Sequence, residues 1–258
     1  MTASAALRVA APAALIALIL GVWQIAVVGG HVSRVVLPAP TEILEAFSDS
    51  GSLILSHLRI TALEALGGFV IGNLAGYLLA ALFVHFDWGR RAVYPLATAA
   101  QAIPIVAITP ALLLWFGPGL APKACVAAFL SFTPMLINAL RGLRSADAEV
   151  NELLFTLSAS PWQKFLIVRL PASARFAFSA LKISACSAAV SALVAEWVAA
   201  DAGLGYLVVY WSRQYKTAEL WAAVLAGAAL SLAMYGATVW AERRLTPWSA
   251  NVSASATS

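Results

Sequence analysis

Apolar residues in this chain cluster in long blocks. Residues 10–28, AAPAALIALILGVWQIAVV, form an uncharged run of 19 residues. An α-helix needs about 20 predominantly apolar residues to cross the hydrocarbon core of a bilayer, so this run predicts a spanning helix. A cleaved signal peptide is the competing reading, but the run is long for one, only Arg8 flanks it, and Gly29-Gly30-His31 is a poor cleavage site. Further blocks at 57–84, 94–117, 123–140, 176–200 and 218–241 predict five more spans, an all-α integral membrane fold of six transmembrane helices. GPGLAP, 117–122, reads as a tight turn, and 201–217 as a loop.

Within the spans, small residues and prolines indicate packing. Gly68, Gly72 and Gly76 recur every fourth position, with Ala80 continuing the series, and Ala180, Ser184, Ala188 and Ala192 repeat the pattern later. In lipid, such strips let two helix backbones approach closely. Pro95, Pro104 and Pro110 predict a kinked third span, because carbonyls freed by proline are tolerated only against protein or a cavity. That stretch is either a packed kink or part of a solute pathway past Gln101, Pro104, Thr109 and Trp115. Glu64, Lys182 and Glu196 are the ionisable groups inside spans, and each needs a partner or a water-filled cavity. Lys182 and Glu196 lie about 21 Å apart along one helix at 1.5 Å per residue, so they cannot pair with each other. Lys182 sits where it can snorkel to the inner interface; Glu196 reads as a structural hydrogen-bonding group or a solute contact.

One stretch breaks the oily pattern. From Asp147 to Pro171, Val150, Leu153, Leu154 and Leu157 fall at i, i+3, i+4 and i+7 with Glu149, Asn151 and Glu152 on the other faces, which predicts a short surface helix. A new start follows: Ser160 can cap, Pro161 suits the first helical position, Gln163 completes a Ser-x-x-Gln box, and Trp162, Phe165 and Leu166 form a fresh apolar stripe that Pro171 closes. Two short helices joined at a sharp corner make a knob that another protein can grip.

This stretch resembles, in register, the cytoplasmic loop of ABC importer membrane subunits: Glu-Ala-Ala, three residues, Gly, nine residues, Ile-x-Leu-Pro. Glu152, Leu153 and Leu154 stand at the first three positions, Ser158 at the glycine, and Val168, Leu170 and Pro171 at the end. Serine adopts φ > 0 less freely than glycine. LPAPTEILEAF resembles the segment and short amphipathic helix after the first span in the nitrate, sulfonate and taurine branch, with Pro40 or Thr41 beginning the helix. Trp115-Phe116-Gly117 and Gly203-Leu204-Gly205-Tyr206 after Glu196 match further segments of that branch, whereas Gln101, Ala102 and Glu64 depart from it, relatives commonly having arginine at position 64.

The resemblance covers about Leu37 to Trp248 and implies a type I importer permease. On that reading residues 1–36 are an N-terminal helix with its flanks, 37–248 the transmembrane domain, and 249–258 a disordered tail. The loop would be a coupling helix, with Glu152, Leu153, Leu154, Leu157, Ser158, Ala159, Ser160, Pro161, Trp162, Leu170 and Pro171 docking an ATPase. The implied assembly is a homodimer with two ATP-binding subunits and an extracytoplasmic substrate-binding protein, in a bacterial inner membrane. ATP and Mg would be used by the partner and no cofactor held here. The ending, Glu242 to Trp248, looks closest to taurine and sulfonate permeases; nitrate, bicarbonate, thiamine precursors and riboflavin are other cargoes of look-alikes.

Composition agrees with the membrane reading: 62% of the 258 residues are hydrophobic and 11% charged. The net charge of +4 is scattered at span ends, which argues against nucleic acid as a partner. Counting cations on six spans with both termini inside puts Arg8, Arg90, Arg91, Arg141, Arg144, Lys164, Arg169, Arg175, Arg243 and Arg244 on the cytoplasmic side. Arg34, Arg59, Lys123, Arg213 and Lys216 fall outside or near it, a two-to-one bias that also makes the corner cytoplasmic. Cys125 and Cys186 lie in apolar runs and read as packing residues; no P-loop, metal-ligand cluster or nucleophile elbow is legible, so no metal site or catalytic residue is assigned. An ATP-independent transporter or channel would have to work through Glu64, Lys182 and Glu196, and a membrane scaffold would have no ATPase partner.

Overall fold

The computed structural model describes residues 2–86, 91, 95–97, 99, 100, 102–145 and 148–247, and is helical with no strand among them. The helices are α1 (Thr2–Val28), α2 (Pro40–Phe83), α3 (Ile105–Phe116), α4 (Leu120–Leu143), α5 (Ala148–Thr156), α6 (Pro161–Lys164), α7 (Leu170–Ala199), α8 (Leu204–Arg213) and α9 (Thr217–Leu245). Five stretches are long and apolar enough to cross a bilayer: Ala10–Val28, Pro40–Phe83, Leu120–Leu143, Pro161–Val198 and Thr217–Leu245.

The third expected span differs. Its described residues 95–97, 99 and 100 are helical, and a turn in which the Ala102 and Ile103 N–H groups donate to Ala99 and Ala100 carbonyls separates them from α3. Pro104 then caps α3 at φ −70°, ψ 92°, an extended conformation in which proline needs no donor. Gln101 lies outside the described residues, as do Trp88, Arg90, Asp147, Trp248 and the tail 249–258.

α2 is a second difference. Instead of a short amphipathic helix followed by a separate span, Pro40–Phe83 is one helix of 44 residues, about 66 Å long at 1.5 Å per residue. Pro40 begins it, and Glu42 Oε2 accepts the Ala39 N–H at 2.9 Å. No proline interrupts it afterwards, so nothing in the backbone stops the helix.

The bundle is organised around α4, which packs along α2 on one side and α7 on the other. Gly68, Gly72 and Gly76 lie against Ala124, Ala127, Ala128, Phe132 and Met135; a Cβ on any of the three would overlap α4 atoms. On α7, Ala180, Ser184, Ala188 and Ala192 are fully buried, and the Ser184 hydroxyl donates to the Ser131 carbonyl. α1 stands apart with its apolar side chains exposed from Leu15 to Val22, as a lipid-facing helix requires. It is pinned at one end, where Trp23 Nε1–H donates to the Pro38 carbonyl and its ring meets Trp221 edge-on. Cys125 and Cys186 are free and half-buried.

Candidate functional site

The corner begins where α5 ends. Leu157 N–H donates to Leu153 O and Ala159 N–H to Leu154 O, closing the last turn, and Ser158 between them takes the left-handed conformation at φ 53°. Ser160 Oγ then accepts the Gln163 N–H at 3.3 Å while Gln163 Oε1 accepts the Ser160 N–H at 2.8 Å, with Pro161 at the first helical position. The turn is thus fixed from both sides. Glu152 is exposed, as are Leu153 at 58%, Leu157 at 68% and Trp162 at 65%, while Leu154 and Ala159 are half-buried. Phe165 roots the corner in the bundle: it is buried, stacks beneath Trp162 and touches the His85 ring.

Pro171 does not close the second helix. Phe165–Arg169 forms a π turn, the Leu170 N–H reaching back to Phe165 O, and α7 continues through Pro171 to Ala199. The wider turn shifts the hydrogen-bond register where Pro171 has no N–H and its ring would crowd the preceding turn. Corner and span are therefore one rod.

At the far end of that rod lies a buried polar centre. Thr61 Oγ1–H donates to Glu196 Oε1 at 2.7 Å, Gly205 N–H donates to Glu196 Oε2, and Leu204 N–H donates to Thr61 Oγ1 at 2.8 Å. His57 Nδ1 accepts the Gly203 N–H at 2.9 Å, and its ring stacks on Tyr206. These contacts satisfy the first N–H groups of α8. Gly203, at φ 107°, has no room for a side chain because a Cβ would strike the Glu196 carboxylate. Glu64 is buried beside the same centre with Lys123 Nζ 3.4 Å from its Oε1. Lys123 is 3% exposed, so the residue counted on the outer flank is turned inward as a counter-charge. Lys182, expected to snorkel, pairs with Glu242 of α9 at 2.7 Å.

The pathway candidates among the described residues lie in different parts of the bundle. Glu64 and Glu196 meet in the polar centre; Pro104 and Trp115 are exposed on or beside α3, Trp115 at 74%. Thr109 is buried and lines a cavity of about 410 Å³ between α3, α4 and α7 with Ile105, Val126, Leu130, Cys186, Ser187, Val190, Ser191, Val194 and Ala195. The sequence reading missed Thr61, His57 and Lys123 as partners. Thr61 stands three residues before Glu64, on the same helix face, and that spacing was the available signal.

Residues 68–248 match the family described as binding-protein-dependent transport system inner membrane component. The chain belongs to this family. As an ABC importer permease it is 32% identical over 244 residues to a probable ABC transporter permease protein of Haemophilus influenzae, covering 94% of this chain and 99% of that relative. It is 32% identical to a riboflavin transport system permease protein of Chloroflexus aurantiacus, covering 91% of this chain and 88% of the relative. A putative aliphatic sulfonates transport permease protein of Bacillus subtilis is 28% identical, with 90% of this chain and 85% of the relative covered. The permease is thus a multi-pass inner-membrane protein.

Proposed function

We propose that two copies of this permease, two ATP-binding subunits and an extracytoplasmic binding protein import a small organic solute, with ATP and Mg held by the partner subunits and both termini in the cytoplasm. The observation that carries the reading is the capped corner: an exposed apolar stripe, fixed on both sides and continuous with a membrane span. A rigid corner of this kind transmits displacement, whereas a frayed one would absorb it. The rod Pro161–Val198 links the corner to Glu196, and Glu196 holds the first turn of α8. Closure of an ATPase dimer against the corners would thereby move the opposite end of the bundle.

Leu157→Arg tests this by placing a charge in the middle of the stripe. With the complete importer in proteoliposomes, uptake should fall about tenfold or more, the scale of losing an interface hot spot, while the permease remains folded. Glu152→Arg should act in the same direction. Uptake at the normal rate in both variants would refute the docking assignment.

For the solute, the chain's ending and the relatives named for aliphatic sulfonates favour a sulfonate- or taurine-like cargo, with nitrate and bicarbonate as further anions. A second reading is an uncharged heterocycle. It draws on the relatives named for riboflavin and formylaminopyrimidine transport and on the uncharged lining of the α3–α4–α7 cavity.

A further inference from the structure

We infer that the cavity between α3, α4 and α7 is a binding subsite for an uncharged, mainly apolar solute that brings its own hydrogen-bond donors, and that it rejects small anions. The inference rests on the importer reading and, between its two solutes, takes the uncharged heterocycle over the sulfonate-like anion.

Its volume of about 410 Å³ falls in the range of about 300–1,000 Å³ usual for small-molecule sites. None of its described lining residues is charged. The nearby Lys123 is already turned to Glu64 and does not line the cavity. An anion entering would lose its hydration without gaining a cation.

The hydroxyl groups sharpen this. Thr109 Oγ1–H donates to the Ile105 carbonyl at 3.3 Å, and Ser191 Oγ–H donates to the Ala188 carbonyl at 3.0 Å. Each proton is directed back into its own helix, so neither hydroxyl donates to the cavity. Among the described lining residues, only the Ser187 hydroxyl and the weakly donating Cys186 thiol are left as side-chain donors. Sulfonate, nitrate and bicarbonate present mainly acceptor oxygens, for which this lining supplies few donors. An imide, a ring N–H or an aminopyrimidine has the donors this lining lacks, and its flat ring suits the surrounding Ile105, Val126, Leu130, Val190 and Val194 side chains.

Cys186 lies in the cavity wall and reports occupancy directly. In the complete importer carrying Cys125→Ala and held in lipid nanodiscs, the alkylation rate of Cys186 by N-ethylmaleimide is measured with riboflavin, formylaminopyrimidine, taurine or nitrate. One or both heterocycles should slow alkylation about tenfold at ten times the dissociation constant, as mass action on the free fraction requires, while taurine and nitrate leave it unchanged. Thr109→Val and Ser191→Ala should weaken that protection without altering the rate in the absence of solute, which shows that the wall is intact. Protection by taurine or nitrate, or by none of the four, overturns the inference. Uptake measured in proteoliposomes separates the two readings. ATP-dependent uptake with an unprotected Cys186 removes the subsite and keeps the importer; protection with ATP-independent uptake does the reverse.

Discussion

Serine at position 158 holds a backbone conformation that glycine enters without strain, φ 53°, and no side-chain hydrogen bond is given to it in return. Ser158→Gly should therefore stabilise the corner by up to about 1 kcal/mol, partly offset by the greater freedom of glycine in the unfolded chain. Hydrogen exchange of residues 153–163 would slow if this holds; unchanged or faster exchange would show that the turn bears no strain. A larger effect belongs to Lys123. Removing one member of a buried ion pair typically costs about 3–5 kcal/mol, so Lys123→Met should strongly lower the thermal stability of the purified permease. Lys123→Met combined with Glu64→Gln should recover much of the loss, because no uncompensated carboxylate then remains at position 64. A double variant no more stable than the single one would show that the pair is not coupled.

Among helices, shape decides more than charge. Gly72 faces the Ala128 backbone so closely that even a methyl group has no room. Gly72→Val should force α2 from α4 and cost at least the 1–3 kcal/mol typical of overpacking, read as a lower melting temperature and reduced yield. Gly236, with open space around it, is the control: Gly236→Val should change neither measurement appreciably. The π turn at Phe165–Arg169 explains why Pro171 does not end the helix it follows, and a proline rule applied to sequence alone had no access to that register shift. In α2 the opposite error occurred: the short helix begun at Pro40 or Thr41 and the span from residue 57 are expected as separate elements, yet helical hydrogen bonding runs straight through the residues between them.

On the scale of the whole permease, the corner and the α8 anchor are two ends of one rod, so restraining either should block transport. With Cys125 and Cys186 replaced by alanine, Thr61→Cys paired with Leu204→Cys would tie α8 to α2 at the point where the Leu204 N–H meets Thr61. Oxidation should abolish ATP-driven uptake, and reductant should restore it. Undiminished uptake by the crosslinked protein would show that the α2–α8 contact stays closed throughout the cycle.

Sequence alone determined the membrane class, the close-packing strips and the capped corner, because these depend on hydrophobic block length, residue size and local hydrogen bonds within a few positions. It also registered that Glu64, Lys182 and Glu196 each required something to meet. The tertiary structure alone decided what that was. Lys123 comes to Glu64 across 59 positions, Thr61 to Glu196 across 135, and Glu242 to Lys182 across 60, each on a different helix. Periodicity identifies which face of a helix is buried, but it carries no information on which other helix lies against that face. The partners of buried charges and the walls of the cavity are set by that choice of neighbour.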